Sequence, residues 1–467
     1  MTINNTLMKP EVFNAAEPFI NRSYQKLKMF TERHIDKIPQ VQQFLTAQQI
    51  FDIKVVASVL PFRVNEYVIN ELIDWHNIPQ DPIYQLSFPQ PGMLKKNHFR
   101  QMAELLKTEP EKDQVKDLAN TIREELNPHP AGQQKLNVPT LDNEALPGLQ
   151  HKYNETVLFF PTQGQTCHTY CTFCFRWAQF IGDKELKFAT TEANNLQRYL
   201  ARHKEVSDLL ITGGDPMVMK TKYLIAYLEP LLQPEFDHIQ TIRLGTKALT
   251  FWPQRFVSDN DADELIDLLA RLVHAGKHIA IMAHLNHWKE IDTNIARKAI
   301  KRIQSSGAII RSQGPLLAHI NDSSQVWSKM WREQVKLGII PYYMFVERDT
   351  GAQHYFEVPL VKAYEIYRDA KINVSGLART ARGPSMSCNP GKVEIHGIAE
   401  IHGEKVIALR FIQGRVHNWV QQPFYAQYDE QATWLNHLKP AFGESEFFFD
   451  KEFQEIQDAS ELSKTKA

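Results

Sequence analysis

The 467-residue sequence has only four cysteines, too few for disulfides to staple a chain of this size. It has no excess charge either, since 53 Lys and Arg stand against 54 Asp and Glu. That balance offers no electrostatic grip on nucleic acid or on an anionic membrane surface. No stretch approaches the roughly 20 consecutive apolar residues of a membrane-spanning helix, and Met1–Thr6 lacks the basic and apolar regions of a secretion signal. The expectation is a cytoplasmic protein that works on a small molecule, with neither nucleic acid nor membrane as partner. Internal repeats and low-complexity segments are absent as well. The length allows two to three domains, or one large domain with appendages.

What cysteine there is lies together. Three of the four fall within eight residues, Cys167-His168-Thr169-Tyr170-Cys171-Thr172-Phe173-Cys174. In a reducing compartment such clustering reads as metal ligation or redox chemistry.

Three stretches differ in pattern. Residues 1–150 read as a helical region: apolar positions recur at helical spacing around Val68–Ile73, prolines interrupt at 79, 82, 89 and 91, and a charged helix follows from about 96 to 125. Residues 127–150 read as an extended connector. From 151 to 375 strand and helix signals alternate. Short β-branched or aromatic runs stand at Thr156–Pro161, Asp208–Thr212, Thr241–Gly245, His278–Ala283, Ala308–Gln313 and Ile339–Val346. Between two of them, Ala262–Gly276 places Leu265, Leu268, Leu269, Leu272 and Val273 on one face, with Gly276 suited to the C-terminal cap. Alternation of this kind predicts an α/β fold with parallel strands and right-handed crossovers, here a partial barrel of six βα units. Residues 376–467 turn to a small β-rich extension, with a hairpin from Lys392–Ile401 to Lys405–Phe411 across His402-Gly403.

The cysteine loop follows the first predicted strand, at the strand ends where parallel α/β folds assemble their sites. Three thiolates at this spacing can hold three irons of a [4Fe–4S] cluster and leave the fourth iron open. Cys388 as a fourth ligand would instead close the cluster or make a zinc site, but it is remote in sequence. An open iron suits S-adenosylmethionine (SAM), whose amino and carboxylate groups can chelate it. One predicted βα unit later, Gly213-Gly214-Asp215 ends a strand; the glycines permit close backbone approach, and carbonyls or the Asp215 carboxylate suit an ammonium.

With these residues in view, the spacing Cys167, Cys171, Cys174 resembles that of the radical SAM superfamily. Further stretches in matching order resemble the lysine 2,3-aminomutase family: Pro61-Phe62-Arg63, Asp81-Pro82, Pro147–Tyr153, His284 to His287, Gln313 with Asn321-Asp322, Pro341-Tyr342-Tyr343, Ser375-Gly376 and, sixteen residues after that glycine, Lys392. The resemblance covers roughly residues 50 to 395. It implies transfer of an α-amino group to the β-carbon through a 5′-deoxyadenosyl radical and an imine of pyridoxal phosphate (PLP). It implies Lys392 as the PLP lysine, Tyr153 stacked on the PLP ring, Arg176 on the substrate carboxylate, and His284 and Gln313 against SAM. It also implies a low-potential electron donor and a homo-oligomer, contacts that the N-terminal helical region could serve.

The sequence departs from the family in ways that bear on chemistry. The PLP lysine of relatives lies in a glycine run, whereas here Ser387-Cys388-Asn389-Pro390-Gly391 precedes Lys392. The arginines that clamp the PLP phosphate fall on Lys152 and Thr156, leaving Arg379 or Arg382 to supply the missing charge. Two aspartates that receive a lysine ammonium fall on Arg348 and Ser385, unless a one-residue slip brings in Glu347 or Asp349. A buried guanidinium there repels an ammonium and accepts a carboxylate, so the expected substrate is an amino acid with an acidic or neutral side chain. Cysteines that bind structural zinc in some relatives have no counterpart, and no zinc is expected. Other readings stay open: a radical SAM enzyme without PLP, one that modifies a lysine of a translation factor, or an iron–sulfur electron carrier.

Overall fold

Eleven strands share one sheet in the computed structural model, which describes residues 27–127, 137–181, 190 and 193–465. They are β1 (Leu149–Tyr153), β2 (Thr156–Phe159), β3 (Asp208–Ile211), β4 (Thr241–Thr246), β5 (His278–His284), β6 (Ile309–Leu316), β7 (Ile340–Val346), β8 (Arg382–Ser387), β9 (Gly391–Ile401), β10 (Glu404–Gly414) and β11 (Pro423–Gln427). They stand side by side in chain order. From β2 to β8 every neighbour is parallel, while β1 and β9 to β11 pair antiparallel. All six expected parallel strands form. The fold class is α/β.

The crossover helices follow their apolar spacing. In α1 (Ala262–His274), Leu265, Leu268, Leu269 and Leu272 are buried, acidic residues lead and basic residues end the helix, and Gly276 follows at φ 90°. That charge order suits the helix dipole, and the positive φ is why the position takes glycine. The predicted hairpin forms too, turning at His402 and Gly403 with φ of 51° and 78°, the left-handed pair of a tight hairpin turn.

Three strands of the sheet escaped the sequence pattern: β1, β8 and β11. β1 straddles the end of the expected connector, and β8 carries Gly383, Pro384 and two serines, all weak strand formers. Both matter for the site: β1 delivers Lys152 and Tyr153, and β8 joins the C-terminal strands to the same sheet. The N-terminal region also contains a ribbon of Met29–Thr31 on Arg63–Asn65 as well as helices such as Ala47–Ala57, Lys96–Leu106 and Lys112–Leu126. Its core is not its own, because Phe173, Trp177, Phe251, Leu317 and Phe356 belong to the same apolar cluster as Phe30 to Leu126. A boundary at residue 150 therefore divides the sequence pattern but not the packing.

The sheet curls. Lys152 Nζ on edge strand β1 donates to the carbonyl of Cys388, just past β8, at 2.5 Å, and Arg415 donates to Asn137 at 2.6 Å. Strands seven places apart in a flat sheet, at about 4.8 Å per strand, are far beyond such reach. Among the described residues no helix is long and apolar enough to cross a membrane.

Candidate active site

The curled sheet encloses a cavity of about 380 Å³ at the C-terminal ends of its parallel strands. Cys171, Cys174, Arg176, Gly213, Gly214, His284, Gln313, Tyr153, Arg348 and Lys392 all line it. Cys167, Asp215 and Ser385 do not, although all three lie on elements that do. Residues from both termini of the sequence thus meet around one space.

The three loop cysteines are free thiols. Burial pushes Cys167 well up, Cys171 to about 12 and Cys174 to about 11, so a bound cation would have to draw the protons off. One tetrahedral ion with sulfur bonds of about 2.3 Å needs its ligands close together. Among the described residues, the only group of three His, Cys, Asp or Glu ligand atoms within 4.8 Å of one another is His151, His203 and Glu205, well away from the loop. The wider-set thiols fit a cluster of several irons better than a single ion.

Gly213 and Gly214 are constrained by the loop itself. Gly213 sits at φ 144°, and a Cβ on Gly214 would meet the backbone N and O of Thr166 at 2.5 Å. This turn therefore presents bare backbone to the cavity. The Asp215 carboxylate has a different job from the one expected of it. It accepts hydrogen bonds from Thr246 Oγ1 (2.6 and 2.8 Å), Met217 N (2.9 Å) and Lys247 N (2.9 Å), facing away from the cavity. It ties the end of β3 to the end of β4. The tie continues along the rim. Lys247 pairs with buried Glu290 and donates to Asn286 Oδ1 at 3.0 Å, and Asn321 Nδ2 donates to the Asn286 carbonyl at 2.9 Å.

His284 on β5 stands in register with Gln313 on β6. Burial and nearby Lys247 hold its imidazole well below the usual range, and its buried Nε2 has no protein partner. A neutral ring nitrogen with nothing to bond is suited to a polar ligand.

The cavity is also cationic. Arg176 is half-buried, with a buried and unpartnered Nη1; desolvation lowers it to about 10. Its guanidinium lies 5.1 Å from the Phe175 ring, and that of Arg348 lies 5.3 Å from the same ring with a buried, unpartnered Nε. Lys392 on β9, opposite Ser387, has its Nζ 4.3 Å from the Tyr343 ring. Desolvation, then Arg243 and Arg382, bring its amine down to about 7. Glu347 lines the cavity beside Arg348, with burial pushing its carboxyl well up. Ser385 is fully buried under the wall with an unpartnered hydroxyl. Arg379, a candidate for the missing phosphate charge, is an exposed residue bonded to the Val374 carbonyl. Arg382 stacks instead on Tyr342 and Tyr343 at 4.6 and 4.3 Å.

Sequence reasoning missed Arg243 and Lys247, which line the cavity with their charges held by Asp208 and Glu290. The available signal was one basic residue within a predicted strand and another just past its end, which is common on any surface.

No protein-family model matches the chain. A protein of Aquifex aeolicus provisionally named L-lysine 2,3-aminomutase is 30% identical over 379 residues, covering 81% of this chain and 87% of its own. The chain belongs to the lysine 2,3-aminomutase family. L-lysine 2,3-aminomutase of Bacillus subtilis is 24% identical over 431 residues, 90% of this chain and 80% of its own. Among solved structures, a radical SAM methyltransferase of Sphaerobacter thermophilus overlaps 50% of this chain and 68% of its own, with 13% identity and a TM-score of 0.36. As a lysine 2,3-aminomutase family member, the chain is a radical SAM enzyme of the aminomutase type, and that membership implies a [4Fe–4S] cluster and SAM.

Proposed function

We propose that this enzyme moves the α-amino group of an amino acid other than lysine to the neighbouring carbon, with a [4Fe–4S] cluster, SAM and PLP. The observation that carries this reading is the meeting of Cys171, Cys174, Gly213, Gly214, Arg176 and Lys392 around one cavity. Cys167, Cys171 and Cys174 would hold three irons. Gly213, Gly214, His284 and Gln313 would face SAM. Lys392, Lys152 and Tyr153 would hold PLP. When bound, these groups supply a carbon radical and an electron sink that carries nitrogen.

The chain's own residues do the rest. Lys392 has an amine near 7, so at neutral pH much of it is the free base that can capture a carbonyl. Arg176 presents a planar fork to an α-carboxylate. Leu158, Phe173, Leu210, Met282, Phe345 and Val346 line the cavity with apolar surface, which keeps water from a reactive radical. Arg348 favours a side chain that is acidic or neutral over one that ends in an ammonium, since like charges in a partly desolvated site repel by several kcal/mol. A low-potential electron donor would complete the system.

The test is anaerobic reconstitution with iron, sulfide, SAM, dithionite and PLP against a panel of free amino acids, read by mass spectrometry. The expected result is 5′-deoxyadenosine together with a β-amino isomer of a non-lysine substrate. Deoxyadenosine with no change in the amino acid, or the same turnover without PLP, overturns the proposal.

A further inference from the structure

The cysteine loop is held from two sides. From the sheet, Asp215 N donates to the carbonyls of Gly164 and Thr166 at 2.9 Å each. The second grip comes from residues 63–86, about a hundred positions earlier in the chain. Arg63 Nη1 donates to Thr166 Oγ1 at 2.6 Å and to the Cys167 carbonyl at 3.0 Å. Its guanidinium lies 4.8 Å from the Tyr170 ring, and its own carbonyl accepts from Tyr170 N at 2.9 Å. Asn65 N donates to Thr169 Oγ1 at 3.1 Å, while the Asn65 side chain is locked by bonds to Phe251 and Val68. Thr172 donates twice, to the Leu86 carbonyl at 3.0 Å and to the Gln85 carbonyl at 2.7 Å. Thr166, Cys167, Thr169, Tyr170 and Thr172 are thus all tied to a segment that a sequence reading treats as a helical appendage.

Arg63 stands out within this grip. It is half-buried, and among the described residues no salt bridge joins it to a carboxylate. A guanidinium usually meets an anion when it gives up water. Here its charge is spent on a carbonyl, a hydroxyl and an aromatic face next to the first cysteine. Positive charge and hydrogen bonding around a cluster make the added electron easier to accept. We propose that Arg63 is a positioning residue for the iron–sulfur cluster: it fixes the backbone turn at Cys167 and keeps the cluster's midpoint potential up. The inference rests on reading Cys167, Cys171 and Cys174 as cluster ligands.

Two variants separate charge from geometry. Arg63→Gln keeps a donor and removes the charge; Arg63→Lys keeps the charge and removes the fork. Each full-length protein is reconstituted anaerobically, assayed for iron and sulfide per chain, and titrated reductively while the electron paramagnetic resonance signal of the reduced cluster is followed, with and without SAM. For Arg63→Gln, the ratio of reduced to oxidised cluster at a fixed potential is expected to fall by about tenfold, which is a shift of about 59 mV for a one-electron couple. Arg63→Lys should lose iron but keep the wild-type potential in the fraction that loads. A purely structural role predicts equal iron loss in both variants and an unchanged potential, and that outcome overturns the proposal. If the wild-type chain itself takes up no [4Fe–4S] cluster, the reading of the cysteines falls and this inference with it. A normal wild-type cluster beside an unaltered Arg63→Gln overturns the inference alone.

Discussion

Lys392 reaches its low basicity from three directions: burial in the cavity wall, Arg243 on β4 and Arg382 at the start of β8. The sign of the pH effect follows. An amine at about 7 is half free base at neutral pH, whereas an ordinary lysine near 10.4 has only about one part in a thousand or less. Borohydride trapping of PLP on Lys392 should therefore rise with pH through a midpoint near 7 and level off. A midpoint near 10 would refute it. The same shift acts on stability: between about 7 and 10.5 the unfolded chain holds this proton and the folded chain does not, so this residue's share of stability grows as pH rises. Arg348 carries a second prediction. Arg348→Asp should move the kcat/KM ratio towards lysine by about tenfold or more, about 1.4 kcal/mol per decade, and an unchanged ratio across the amino acid panel would sink the role. That Lys392 and Arg348 line one cavity was legible because they fall at marked distances from recognisable neighbours. What a carboxylate does with its oxygens was not legible. The place of Asp215 after two glycines says nothing about Thr246, which reaches its carboxylate from the next strand.

At the scale of elements, the rim of the cavity is a chain of side-chain ties between strand ends, from Asp215 through Lys247 to Asn321. Asp215→Ala would strand Thr246 Oγ1 and two backbone N–H groups in a buried place, at about 1–3 kcal/mol for each orphan. A loss of about 3 kcal/mol or more in denaturant unfolding is the expected outcome; a loss below 1 kcal/mol would show the rim to be dispensable. Gly214→Ala acts differently, since its Cβ would overlap the Thr166 backbone. It should leave the sheet intact by circular dichroism yet cut iron per chain several-fold, because the cysteine loop has to move. Here the sequence pattern performed unevenly for a physical reason. The six inner parallel strands announce themselves as apolar runs because both faces are covered. β1, with His151, Lys152 and Tyr153 at its end, and β8, with Pro384, carry cavity-lining or turn-forming residues in place of that run.

For the molecule as a whole, the shared core of the N-terminal region and the cysteine loop predicts joint unfolding. Scanning calorimetry should give one transition in which residues 30–126 melt together with the parallel sheet. Two well-separated peaks would show that the region folds alone and that the common cluster around Phe173 and Trp177 is incidental. A division at residue 150 follows composition faithfully, because periodicity reports which face of an element is apolar and not what that face touches. The long-range partners of Phe62, Trp75 or Phe88 are supplied by topology.

The curl of the sheet has a kinetic side. The backbone ladder is continuous from β1 to β11, but it does not close; where β1 meets the segment after β8, the described contacts are side-chain bonds, Lys152 to the Cys388 carbonyl and Arg415 to Asn137. Single hydrogen bonds of this sort are worth about 0.5–3 kcal/mol apiece, so parting two of them costs less than unzipping a pair of strands. The wall of the cavity thus has a seam, and amide hydrogen exchange is expected to be fastest along it. Lys152, which bridges the seam, also lines the cavity. Occupancy and closure therefore meet at the same amine, which desolvation and nearby Arg415 hold well below the usual lysine range.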